Sequence, residues 1–316
     1  MKFQWRFGAA ALASALLVSL VGCTSGARPG GNAGSEASTT STVTAPPDAR
    51  ALYQEMNAKM EPLTSMDANF SMRITILLGE SSLVTNMEGT VRAAGLPDKP
   101  ALTADISTSS MGQSVSMSLY YADNVMYIAA KDAYMDSKIK IPVPTELPEN
   151  SDDETQEELL AALKEKAALL QEKMLDSAVA IEKNGDTQIT LTIPAVDLWH
   201  FIEALSSELP EDTFSGDLDL SAQPEMSDLA VTLTMNSERY LTEMLMECEA
   251  VAPVQTEESS SVSSGSNTVR VSLSVKLNNP GEPVEIIQPA DLDSYQEQSP
   301  DDEELWGDEF SDYELL

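Results

Sequence analysis

Apolar and polar side chains alternate without a break from Val269 through Val271, Leu273, Val275 and Leu277, with Arg270, Ser272, Ser274 and Lys276 between them. A period of two sends successive side chains to opposite faces of a strand, so a segment written this way buries one face and wets the other. The same period runs through Phe70, Met72, Ile74, Ile76 and Leu78, and through Val115, Met117, Leu119 and Tyr121. It returns in Ile189, Leu191 and Ile193, and in Leu229, Val231, Leu233 and Met235. Turn-forming sequences lie between the runs: Gly79-Glu80-Ser81-Ser82, Ala122-Asp123-Asn124 and Asn184-Gly185-Asp186. Half-buried strands joined by short turns predict one large antiparallel sheet with a single core face.

Three other stretches have a helical period. Leu52, Met56, Met60 and Leu63 share one face, as do Leu159, Leu163, Leu170 and Met174, and Val196, Trp199, Ile202, Leu205 and Leu209. Ser151 and Glu154 have the spacing of a capping box at the start of the second stretch. A few amphipathic helices laid against one face of the sheet give an α+β domain.

The N-terminus carries a separate message. Lys2 and Arg6 precede an apolar run from Phe7 to Val21 that ends in Leu20-Val21-Gly22-Cys23. A basic start, a short apolar stretch and a small residue before the break read as a secretory signal covering 1–22. The four closing residues resemble the lipobox of bacterial lipoproteins. That resemblance implies cleavage between Gly22 and Cys23, acylation of Cys23, and a chain held by lipid on the outer face of a bacterial cell membrane. Several acyl chains on one cysteine anchor stably where a single chain does not. Residues 23–50 are mostly Gly, Ser, Thr, Ala and Pro and read as a disordered tether with a reach of ~25–30 Å.

Charge narrows the partners. The chain has 52 acidic and 18 basic residues, a formal charge of −34, which becomes −36 once Lys2 and Arg6 leave with the signal. A surface of that sign repels nucleic acid, and no nucleic-acid partner is expected. The two cysteines give no intrachain disulfide if Cys23 is acylated. Cys248, among Met244, Met246 and Ala250 and alternating with Glu243, Glu247 and Glu249, reads as a buried apolar thiol.

Tyr120-Tyr121-Ala122-Asp123-Asn124-Val125-Met126-Tyr127-Ile128, the strand-to-helix passage Gln188-Ile189-Thr190-Leu191-Thr192-Ile193-Pro194, and a late strand ending in Val284-Glu285-Ile286-Ile287-Gln288-Pro289 follow the lipobox, tether and opening helix. Together they resemble the LolA/LppX-like superfamily of bacterial lipoproteins and carriers, over roughly 51–290. The resemblance implies a half-barrel, a curved antiparallel sheet wrapped over helices, with an apolar ligand such as a lipid or acyl chain held between them. The acidic stretch 152–176, the Ser-rich loop 256–268 and the acidic tail 291–316 depart from the superfamily's layout.

Methionine numbers 15 while aromatic residues are 5% of the chain. Flexible thioethers suit a surface that repacks around variable chains and equally suit an ordinary core. Met72, Ile74, Met117, Leu119, Met235, Met244 and Met246 are the candidate ligand-lining residues. A cavity and a filled core are both open, the second making the chain a structural or protein-interaction lipoprotein.

No catalytic signature is present: the sequence has no G-x-S-x-G, no H-E-x-x-H and no phosphate-binding glycine loop. The single histidine, His200, reads as an exposed helix residue. Asp291, Asp293 and the run Asp301 to Glu304 lack the spacing of a calcium loop. Neither enzymatic activity, metal nor cofactor is expected. In the tail, Trp306, Phe310 and Tyr313 are spaced i, i+4 and i+7 among acids. That spacing leaves three readings: docking onto a basic extracytoplasmic protein, folding back on the domain, or disorder.

Overall fold

The computed structural model describes residues 48–78, 81–133, 136–143, 167–208, 225–252 and 267–297. The described chain opens with α1 (Ala49–Met60), where the Asp48 carboxylate accepts from the Arg50 and Ala51 amides and caps the first turn. Six strands follow: β1 (Ser65–Leu78), β2 (Ser81–Ala94), β3 (Ala101–Ser110), β4 (Gln113–Ala122), β5 (Val125–Lys131) and β6 (Asp136–Pro142). A helical segment over 167–176, α2, leads into β7 (Val179–Lys183), β8 (Asp186–Ile193) and α3 (Ala195–Glu208). Then come β9 (Glu225–Met226), β10 (Leu229–Met235), β11 (Leu241–Ala252), β12 (Asn267–Leu277), a 3-10 turn (Leu292–Ser294) and β13 (Gln296–Glu297).

The strands make one open 13-stranded sheet in the order β13-β6-β5-β4-β3-β2-β1-β12-β11-β10-β8-β7, with β9 beside β11. All ladders are antiparallel except the short parallel pairing of β13 with β6. The hairpins close with the chemistry the turns need. Asp123 and Asn124 have φ of 49° and 62°, and Asn184 and Gly185 have 57° and 92°, the left-handed pair of a two-residue hairpin whose twist matches the strands it joins.

Three helices lie against the inner face of one half of this sheet. Leu52, Tyr53, Met56 and Met60 from α1, Leu170 and Met174 from α2, and Leu198 and Phe201 from α3 join a single core with Ile189, Leu191, Val231 and Leu233 of the strands. Ion pairs tie the helices to each other and to the sheet: Arg50 reaches Glu172 and Asp176, Lys173 reaches Asp197, and Arg239 in the β10–β11 turn reaches Glu55. α1 sits where its spacing predicts, and Trp199 of α3 is buried, while the side chains of Ile202, Leu205 and Leu209 lie outside the described residues. Leu198 and Phe201 face the core, and Val196, in the first turn of α3, is 47% exposed.

The late strand expected at Val284 to Pro289 does not form. That segment is extended but pairs with no strand, and it belongs to a strap, 278–295, that leaves β12 and crosses the outer face. It starts with Asn278 donating to Asp67 and ends with Lys138 donating to Asp291, after which β13 covers the edge of β6. Six strand spacings separate β12 from β6, about 29 Å, a span the strap covers easily at ~3.3 Å per residue. Among the described residues the elements run from Ala49 to Glu297, and Gln296 and Glu297, within the stretch 291–316 read from its charge as a tail, pair with the sheet. Ser151, Glu154, Leu159 and Leu163 and residues 256–266 of the Ser-rich loop lie outside the described residues, while Asn267 and Thr268 begin β12.

Candidate ligand-binding face

Register fixes which side chains share the inner face. Starting from buried Ala68 and Met72 on β1, directly opposed partners carry the face across the sheet. One row reads Met66, Ala93, Leu102, Tyr121, Met126 and Ile141; the next reads Ala68, Val91, Ala104, Leu119, Ile128 and Ile139. A third contains Phe70, Gly89, Ile106, Met117, Ala130 and Ser137. Toward the β1–β2 and β3–β4 turns the rows become Met72, Met87, Thr108 and Val115, then Ile74, Thr85, Ser110 and Gln113.

No charged side chain stands on this face in β1–β6 among the described residues, in a chain with 52 acids and 18 bases. The opposite face holds the charges of the same strands. Asp67 pairs with Arg92 at 3.2 Å, Ser118 donates to Asp105, and Lys138 and Lys140 take Asp291 and Glu297 from the strap.

The face divides in two by what it packs against. Over β1, β12, β11, β10 and β8 it belongs to the core that the helices close. Beyond Met87 it leaves that core: Ala93, Ala104 and Ile128 are buried yet stand outside the cluster, and Leu102, Ile106, Met117, Leu119, Tyr121, Met126, Ile139 and Ile141 are half-buried.

The candidate lining residues separate along this line. Met72, Met235, Met244 and Met246 are buried in the helix-capped core, and Ile74 packs at its margin. Met117 and Leu119 stand on the other half, side by side with Met126 of the Tyr120 to Ile128 stretch and with residues the alternation did not reveal, Leu102, Ile106 and Ile139. Their signal was present, in Leu102, Ala104, Ile106, Thr108 and Ser110, but the small and hydroxyl residues there dilute it.

No family model matches the chain, and no curated protein does. Among solved structures it is similar to a DUF1329 family protein from Desulfovibrio piger, at 10% identity and a TM-score of 0.20, over 73% of this chain and 92% of that one. At that TM-score the likeness carries no argument about function.

Other candidates are accounted for by their surroundings. His200 is exposed on α3. Cys248 is half-buried rather than fully buried, on β11 opposite Val271 near the rim of the core, and burial pushes its thiol up. A polar recess of about 220 Å³ lies under the strap, between Asp67, Arg92, Asn278 and Glu282, and its main groups are paired with one another. Among the described residues no three His, Cys, Asp or Glu gather as a metal site would need, and no helix is long and apolar enough to cross a membrane. Gly22, Cys23, Trp306, Phe310 and Tyr313 lie outside the described residues.

Proposed function

We propose that this chain is a non-enzymatic, membrane-anchored extracytoplasmic lipoprotein that holds an apolar ligand, a lipid or acyl chain, against the inner face of β2–β6. The observation that carries the reading is the mismatch between two widths among the described residues: the uncharged inner face runs from β6 to β8, while the helix-capped core stops near Met87. Exposing a wide apolar face costs roughly 25 cal/mol per Å² of surface left in water, and a ligand chain offsets that cost. Flexible Met87, Met117 and Met126 on the face suit a chain of variable shape. The open antiparallel sheet with helices on one face is also the architecture that the LolA/LppX-like resemblance implies.

The alternative is a structural lipoprotein that docks a basic partner through Trp306, Phe310 and Tyr313. It draws support from the dense packing of Met72, Met235, Met244 and Met246, which leaves the helix-capped half filled.

Native and denaturing mass spectra of the chain from residue 23 onward separate the two. The ligand reading expects a lipid mass that is lost on denaturation and is absent from Leu119→Glu and Ile139→Glu. A bare mass, with no rise in Tm on adding phospholipid, overturns it in favour of the docking reading. Independently, Cys23→Ala is expected to move the chain from the membrane fraction to the soluble one; retention in the membrane fraction contradicts the anchor.

A further inference from the structure

Resting on that reading, we infer that the inner face of β2–β6 is an oriented seat for a single-headed amphiphile whose head is uncharged and bears hydroxyls. The polar subsite lies at the β1–β2 and β3–β4 turns, formed by Thr85, Thr108, Ser110 and Gln113.

Polarity along the strands carries the inference. At the end of the face near Ala93 and Ile141 the row is apolar but for the Tyr121 hydroxyl, and the next row, through Leu119 and Ile128, is apolar throughout. Toward the turns Thr108 stands between Met87 and Val115, the next row places Thr85, Ser110 and Gln113 side by side beyond Ile74, and Ile76 and Leu83 lie further along β1 and β2. The Thr85 hydroxyl donates to Ser110 Oγ at 3.1 Å and Ser110 is buried, while Gln113 at the turn is exposed, so the polar row runs from inside the sheet out to solvent. From Ala93 to Thr85 the strand advances about 27 Å, long enough for an extended chain with its head at one end.

Charge sets the class of head. Each inner-face polar group here is a hydroxyl or an amide, able to donate and accept, and none supplies a full charge. A carboxylate or phosphate seated there loses its water without gaining a cation, while a hydroxyl-bearing ester exchanges its water for equivalent hydrogen bonds. The cations nearest along the strands, Arg73 on β1 and Lys131 on β5, stand on the outer face, as do Lys138 and Lys140, which are taken by Asp291 and Glu297.

Monooleoylglycerol and oleate carry the same chain under a neutral and an anionic head. Both are titrated at pH 8 against a neutral naphthylamine dye bound to the chain from residue 23 onward, carrying Cys23→Ala. The wild-type seat is expected to favour monooleoylglycerol by about tenfold or more, the worth of one to two hydrogen bonds plus an uncompensated charge. In Thr85→Val/Ser110→Ala that preference is expected to collapse while dye affinity is kept. Equal binding of both lipids, with each abolished by Ile139→Glu, overturns the polar subsite and leaves the apolar seat standing. No displacement by either lipid overturns both, and circular dichroism of each variant excludes unfolding as the cause.

Discussion

Lys138 on β6 donates to Asp291 of the strap at 2.5 Å, closing a loop of chain that includes every strand from β7 to β12. Around this contact Tyr295 meets the edge of Tyr127 at 5.5 Å between ring centres, and Lys138 lies over the Tyr295 ring. Lys140 pairs with Glu297 one step further along. The strap's far end and the β13 that follows it are thus held by two ion pairs and an edge-to-face ring contact.

The hydrogen bond from Lys138, first among its causes, holds the Asp291 carboxyl below the usual aspartate value, and the bond to Asp291 raises Lys138. Docking of the strap is therefore favoured fully above the ordinary aspartate value and lost as pH falls through the depressed one. On the alkaline side it is intact below the ordinary lysine value and lost only as pH rises through the raised one. Hydrogen exchange across 291–297 should speed up at both ends of that window, and Lys138→Ala should speed it at neutral pH without affecting α1.

Gly89 is filled by a neighbour. A Cβ built there stands 2.3 Å from the Asp105 carbonyl oxygen and 2.8 Å from Phe70 Cε1, so the Phe70 ring packs over the bare backbone. Gly89→Val forces apart the β2–β3 ladder or the ring and is expected to cost about 1–3 kcal/mol, read from the urea midpoint.

The two halves of the inner face should respond differently to the same truncation. Leu191→Ala, in the helix-capped core at 0% exposure, is expected to lose about 2–5 kcal/mol. Leu119→Ala, half-buried on β4, is expected to lose about 1 kcal/mol in the ligand-free protein. Urea unfolding of both variants checks the contrast.

Cys248 should alkylate slowly. Its thiol is raised chiefly by burial, so less thiolate exists at neutral pH than in an unperturbed cysteine. Iodoacetamide labelling of the folded Cys23→Ala chain at pH 7.5 is expected to lag behind the same reaction in denaturant.

The long alternating runs made much of the sheet readable. Phe70 to Leu78 and Val269 to Leu277 are strands, and they pair along their whole length as β1 and β12. Their pairing was not readable, because roughly 190 positions of chain separate them and alternation sets a face but names no neighbour. β3 escaped notice for a different reason: with Ala104, Thr108 and Ser110 on its inner face, its contrast between faces is weak. The candidate site suffered most from this. Methionines near the core centre and methionines on the outlying wing have the same local pattern, and only the sheet order separates Met235 from Met117.

The strap has a consequence for the order in which the molecule is completed. β1 to β6 form a run of adjacent hairpins that can pair as soon as they emerge during synthesis, but β6 is covered by Gln296 and Glu297, near the end of the described chain. Until those residues arrive, Ile139 and Lys140 on the edge of β6 lack the pairing that β13 gives them among the described residues. A nascent or truncated chain ending before the strap would carry the wing without its two β13 pairs and without the Lys138 and Lys140 ion pairs beside them, a weaker border for as long as that interval lasts.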